Sequence, residues 1–113
     1  MTQLEDVRRL ALSLPETVEA DHHGFPSFRV AKRIFATAPD ATHVHLMLGT
    51  QETAQALAAD PAGCEELTWG QRLAGVRVDL ERADGQVLRD FLVEAWRGKA
   101  PRRALETFEG RAK

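Results

Sequence analysis

Cysteine is almost missing from this chain: Cys64 stands alone among 113 residues. An internal disulfide cannot form, and a reducing compartment, by default the cytoplasm, is expected. Long apolar runs are missing as well. None approaches the roughly 20 residues of a membrane helix, so no membrane partner is expected. The stretch Met1-Thr2-Gln3-Leu4-Glu5-Asp6 holds two acids and no apolar core, which predicts no secretory leader. Phosphate-cradling glycine loops are absent, because the 8 glycines are scattered singly. An excess of positive charge is lacking too. The net charge is −2 and the isoelectric point about 6.1, which argues against a non-specific polyanion binder.

What is present suits a soluble globular chain. The 43% hydrophobic and 28% charged content excludes a disordered or collagenous one. The length predicts a single domain, residues 1–113, able to bury about two-thirds of its unfolded surface. Charge is uneven along the chain: −5 over residues 1–84 and +3 over residues 85–113. The basic cluster of the second part is Arg97, Lys99, Arg102 and Arg103. Cations near a helix C-terminus are the simplest account of it.

Thr2 and Glu5 have capping-box spacing, and Leu4, Val7, Leu10, Ala11 and Leu14 follow at helical spacing until Pro15. Residues 17–23 form a weaker strand signal, closed by Gly24. Residues 26–30 and 33–37 are rich in aromatic and branched residues, and Ala31-Lys32-Arg33 joins them as a hairpin with a basic tip. Pro39-Asp40-Ala41 predicts a turn, and residues 43–48 alternate, with His43, His45 and Met47 on one face. Thr50 is positioned to cap a helix over 51–59 that presents Ala54, Leu57 and Ala58. Residues 64–72 show no clean period and predict a loop with an edge segment near Leu67-Thr68-Trp69. Val76, Val78 and Leu80 alternate as a strand. Asp84 caps the strongest helical stripe, Val87, Leu88, Phe91, Leu92, Ala95 and Trp96, with Gly98 at its end. Pro101 opens a last helix from Arg102 to about Phe108. The order predicts an α+β, two-layer domain: a mostly antiparallel sheet with helices on one face.

Three chemistries can be weighed. His43 and His45, two apart on a strand, send both rings to one face, and imidazole suits zinc or copper. They lack the ligand spacing of real zinc motifs, so a metal at His43 and His45 is the weak alternative, and no cofactor is expected. Cys64, flanked by Glu65 and Glu66, lacks the electropositive setting that makes a thiolate. Ser13 and Ser27 carry no nucleophile elbow, so no enzyme is expected. Nucleic-acid contact rests on Lys32 and Arg33 at the hairpin tip, on Arg29 and Arg77 facing outward from strands, and on the C-terminal cluster. Trp96 lies in an apolar stripe and reads as core, while Trp69 is undecided.

Three stretches together resemble the MmcQ/YjbR-like family of small bacterial proteins. They are Leu10-Ala11-Leu12-Ser13-Leu14-Pro15-Glu16, Gly24-Phe25-Pro26-Ser27-Phe28-Arg29-Val30 leading into Arg33-Ile34-Phe35-Ala36-Thr37, and Glu94-Ala95-Trp96-Arg97 followed by Ala100-Pro101-Arg102-Arg103. The resemblance covers about residues 4–106. It implies an α-β(3)-α-β(2)-α order and a DNA-binding role through a double wing of hairpins, with no catalytic residues. The resemblance maps its basic positions onto Arg29, Arg33, Arg97, Arg102 and Arg103; with Lys32, Arg77 and Lys99 from the charge pattern, these are the expected DNA contacts. Relatives carry glycine before the hairpin lysine, where this chain has Ala31. Alanine resists positive φ, so a longer loop or another turn type is expected there. The rival expectation is a protein-interaction module that pairs with itself or another protein, by analogy with secretion-chaperone-like domains.

Overall fold

The computed structural model describes residues 2–112. The elements are α1 (Leu4–Ser13), β1 (Thr17–His22), β2 (Phe25–Val30), β3 (Arg33–Asp40), β4 (His43–Met47), α2 (Thr50–Ala59), β5 (Cys64–Trp69), β6 (Arg72–Asp79), α3 (Gly85–Lys99) and α4 (Arg102–Ala112). This is the expected α+β class, in the order α-β4-α-β2-α-α. All strands pair antiparallel in one sheet of order β1-β2-β3-β4-β6-β5. Among the described residues one connection within the sheet is not a hairpin. It is the excursion from β4 through α2 and β5 that sets β6 beside β4.

Alternation decides which side chains meet the helices. Phe28, Ala36, Leu46 and Val76 lie side by side across four strands, and Val44 pairs Val78. With Val30 they pack against Val7 and Ala11 of α1, Ala56 of α2, Leu88, Leu92, Ala95 and Trp96 of α3, and Ala104 of α4. Trp96, read as core, is fully buried. Its indole N–H donates to Pro15 O at 3.2 Å, linking positions 81 residues apart. A second tie is the buried Asp60 carboxylate. It accepts the Gly63 N–H at 3.2 Å and the Asp84 N–H at 2.8 Å, which fastens the end of α2 to the start of α3.

Several local expectations shift. The N-terminal cap uses Asp6, which accepts the Gln3 N–H at 2.9 Å, one residue later than the Thr2/Glu5 frame. The N-cap of α2 is Gly49, not Thr50, and its buried face is Thr53 and Ala56. The predicted Ala54 and Ala58 are exposed, because the packing of α2 against β5 and β6, not its weak apolar pattern, sets its rotation. Residues 64–69, expected to be mostly loop, form a full edge strand. A bulge between Leu67 and Thr68 breaks its alternation, and as an edge strand it leaves Glu65 and Glu66 in solvent. The Pro39-Asp40-Ala41 turn moves to Ala41-Thr42, where Asp40 Oδ1 accepts the Thr42 N–H at 2.9 Å. Helix α3 runs past Gly98 and stops at Ala100, held extended because it precedes Pro101.

The β2–β3 hairpin overturns the expectation of a longer loop. Val30 pairs Arg33, so the turn is the two residues Ala31 and Lys32, with φ of 51° and 67°. Two positive φ values are what a type I′ hairpin needs, and its twist matches the flanking strands. The sheet pairing on both sides therefore holds an alanine in left-handed backbone.

Ala31→Gly is expected to stabilise the fold by up to about 1 kcal/mol. The left-handed region costs an L-residue about 1–2 kcal/mol, and glycine's greater unfolded entropy returns about 0.5–1. Gly75→Ala is the opposite case. Gly75 has φ of 151°, and a Cβ there would lie 1.9 Å from Leu46 O. A loss of about 3 kcal/mol is expected, from overpacking plus backbone strain. Urea midpoints check both, and an Ala31→Gly midpoint at or below wild type contradicts the first.

Candidate functional site

The registers place two hairpin tips at one end of the sheet. Val30–Arg33 closes one tip at Ala31-Lys32, and Trp69–Arg72 closes the other at Gly70-Gln71. Between them β4 stops at Met47, and the chain turns away at Gly49 into α2. A cleft of about 1150 Å³ opens there. Lys32 and Ile34 line it from the first hairpin, and Trp69, Arg72 and Leu73 from the second. Glu94, Arg97, Gly98 and Lys99 of the last turns of α3 close one side, and Thr37, His45 and Met47 carry the cleft onto the helix-free face of the sheet. Its charged lining is Lys32, Arg72, Arg97 and Lys99 against Glu52 and Glu94. That is a surplus of positive charge in a chain whose net charge is −2.

The eight sequence-selected cations have different fates. Arg103 holds Glu16 with both carboxylate oxygens within 3.0 Å, tying α4 to the turn after α1. Arg102 lies 3.5 Å from Glu106. Arg97 lies 3.8 Å from Glu94 and 3.9 Å from Glu109, with its guanidinium over the Phe108 ring at 5.0 Å. Arg29 donates to Ser27 Oγ at 3.0 Å and to Asp21 O at 3.2 Å. Arg77 faces Glu65 at 3.5 Å and Asp40 at 3.8 Å. Among the described residues the side chains of Lys32, Arg33 and Lys99 have no ion-pair or hydrogen-bond partner. Lys32, Arg97 and Lys99 come together at the cleft, Arg33 stands exposed outside its lining, and Arg29, Arg77, Arg102 and Arg103 lie elsewhere.

Sequence reasoning missed Arg72, which also has no partner among the described residues. The signal was present in Trp69-Gly70-Gln71-Arg72, a two-residue turn with glycine first, but the bulge beside it hid the strand.

On the helix-free face His43 and His45 do share a side, as expected. His43 Nδ1 lies 3.0 Å from Asp40 Oδ1, and Arg77 Nη1 donates to His45 Nε2 at 2.9 Å. Among the described residues no three His, Cys, Asp or Glu side chains are placed to hold a metal. Because arginine only donates, His45 accepts with a neutral ring. Burial, then the Arg77 charge, lowers the His45 pKa. The Thr42 N–H and the neighbouring His43 ring hold the Asp40 carboxyl down to about 2. Burial and the Asp60 charge push the Cys64 thiol up to about 11, so it is a poor nucleophile.

A family model described as YjbR matches residues 12–98. The chain belongs to the YjbR family. The match spans both hairpins and the whole cleft lining except Lys99, which lies one residue beyond it. No curated protein and no solved structure matches the chain. No helix is long and apolar enough to cross a membrane among the described residues.

The His45–Arg77 contact predicts acid sensitivity. His45 has a lowered pKa when folded and an ordinary value of 6.5 when unfolded, so below 6.5 the unfolded chain binds the extra proton. Its contribution to stability is full above that value and is lost as pH falls through the folded pKa. Thermal melts over pH 7.5 to 5 should show a decline that His45→Gln, which accepts without titrating, makes shallower. Equal slopes for the two proteins would refute the assignment.

Proposed function

We propose that the chain binds DNA by its phosphates at the cleft between the two hairpin tips. The observation that carries this reading is the gathering of Lys32, Arg72 and Lys99, each without a carboxylate partner among the described residues, around one opening. Unpaired cations on short β-turns and a helix end contact phosphates without first breaking an internal ion pair. Arg97 adds charge at the same wall. Arg29, Arg77 and Arg103 are held by partners within the fold, and these three and Arg102 lie outside the cleft lining. Gln71 is the one amide on the two turns, and Lys32 and Lys99 are point charges, so recognition is mainly by charge and shape, with little base readout.

The second reading is pairing between copies through a sheet edge. Val18 is 58% exposed on edge strand β1, an apolar side chain beside unpaired backbone groups. It calls for a concentration-dependent elution volume that Lys32→Ala leaves unchanged.

Fluorescence anisotropy of labelled DNA at roughly 50 and 200 mM salt tests the first reading. With about three phosphates neutralised, affinity should fall about 20- to 40-fold over that range, the lower figure for single strands. Each of Lys32→Ala, Arg72→Ala and Lys99→Ala should weaken binding and reduce the salt slope by about 1, while Arg102→Ala should leave binding unchanged. Absence of binding at about 100 μM protein in low salt, against Kd values of about 1 to 100 μM for even non-specific sites, would overturn it.

A further inference from the structure

Trp69 is 61% exposed at the end of an edge strand, the largest apolar side chain left in solvent. Across the turn its pair partner is Arg72, and both line the cleft. The other tryptophan, Trp96, is buried and supports the core. Trp69 has no such structural task, and an exposed indole beside unpaired cations calls for a ligand that is both flat and anionic.

The width of the opening narrows the choice. Strands β3 and β6, which carry the facing sides of the two hairpins, are separated only by β4. Two strand spacings make about 10 Å. A duplex is wider than its own major groove of about 12 Å, so it cannot enter. A single strand can. Part of the lining is apolar, with Ile34, Met47 and Leu73 beside Thr37, His45, Glu52 and Glu94. A duplex hides its bases and has no use for such a floor, whereas an unpaired strand presents base faces to it. Outside the cleft, Glu65 and Glu66 of β5 are exposed and repel a phosphate chain laid along that edge.

Resting on the DNA-binding reading above, we infer that the ligand of the cleft is a single nucleic-acid strand, with one base stacked on Trp69 and its flanking phosphates held by Arg72 and Lys32. The stack supplies affinity that does not depend on base identity, and the two cations set the path of the strand between the tips.

The test compares a thymidine oligonucleotide of about 12 residues, the duplex of the same length and thymidine monophosphate, in about 50 mM salt. The oligonucleotide should quench the tryptophan emission, and the quench should vanish in Trp69→Ala, which retains Trp96. Trp69→Ala should weaken single-strand binding about 5- to 150-fold, the range for loss of one stacked base. Trp69→Phe should restore most of it, and thermal melts of both variants should match wild type, since the side chain is exposed. Duplex bound as tightly as the single strand, with Trp69→Ala without effect, overturns the inference and leaves phosphate binding standing. Monophosphate bound as tightly as the oligonucleotide overturns it in favour of a mononucleotide site. No binding of any probe overturns both readings.

Discussion

The fold turns on Trp96. Its ring is the largest fully buried side chain, and its one polar atom reaches Pro15 O. A buried indole N–H without an acceptor would cost about 1–3 kcal/mol, so the bond fixes where α3 lies relative to the turn that follows α1. Phe108 of α4 packs against the same ring, with centroids 5.2 Å apart. The next residue after Pro15, Glu16, has φ of 58°, and its carboxylate is held by Arg103 of α4. Three helices and one strained turn thus meet at one aromatic side chain. Because all of this happens on one side of the sheet, the other side is left without helices.

That asymmetry determines where charge can act. On the helix-free face the cations sit in the middle of strands, within reach of acids on neighbouring strands. Arg77 is the clearest case, with His45, Asp40 and Glu65 around it. At the hairpin end the strands run out and neighbours become few. Lys32 and Arg72 on their turns, and Lys99 at the end of α3, meet no carboxylate among the described residues. The same termination of β4 that frees these cations also opens the cleft between them.

Much of the fold was legible in the residues. The α3 stripe around Trp96, the Asp84 cap, the alternation of β4 and the exposed hairpin of Lys32 all follow from local spacing and turn chemistry. Strand β5 was hidden for a physical reason: a bulge and two solvent-facing glutamates erase a period of two. The rotation of α2 was hidden because its small residues give no clear apolar side. The type I′ turn at Ala31-Lys32 was misjudged because alanine's intrinsic dislike of positive φ is about 1–2 kcal/mol, less than the paired strands supply together. The candidate site was legible only in part. Lys32, Arg97 and Lys99 were singled out, but Arg72 was lost with β5, and Arg77 and Arg103 looked available although partners distant in sequence hold them.

The sequence by itself determined the class of the fold, the burial of Trp96 and the absence of internal disulfides, because each depends on residue type and near-neighbour spacing. Tertiary structure alone decided which cations are held by distant partners. An ion pair such as Arg103–Glu16 joins residues 87 positions apart, and Arg77 meets His45 across 32. No local pattern carries that information. For Arg77 it comes from strand register, which also set Arg72 of β6 beyond β4 from the Lys32 hairpin, with Trp69 of β5 one strand further out.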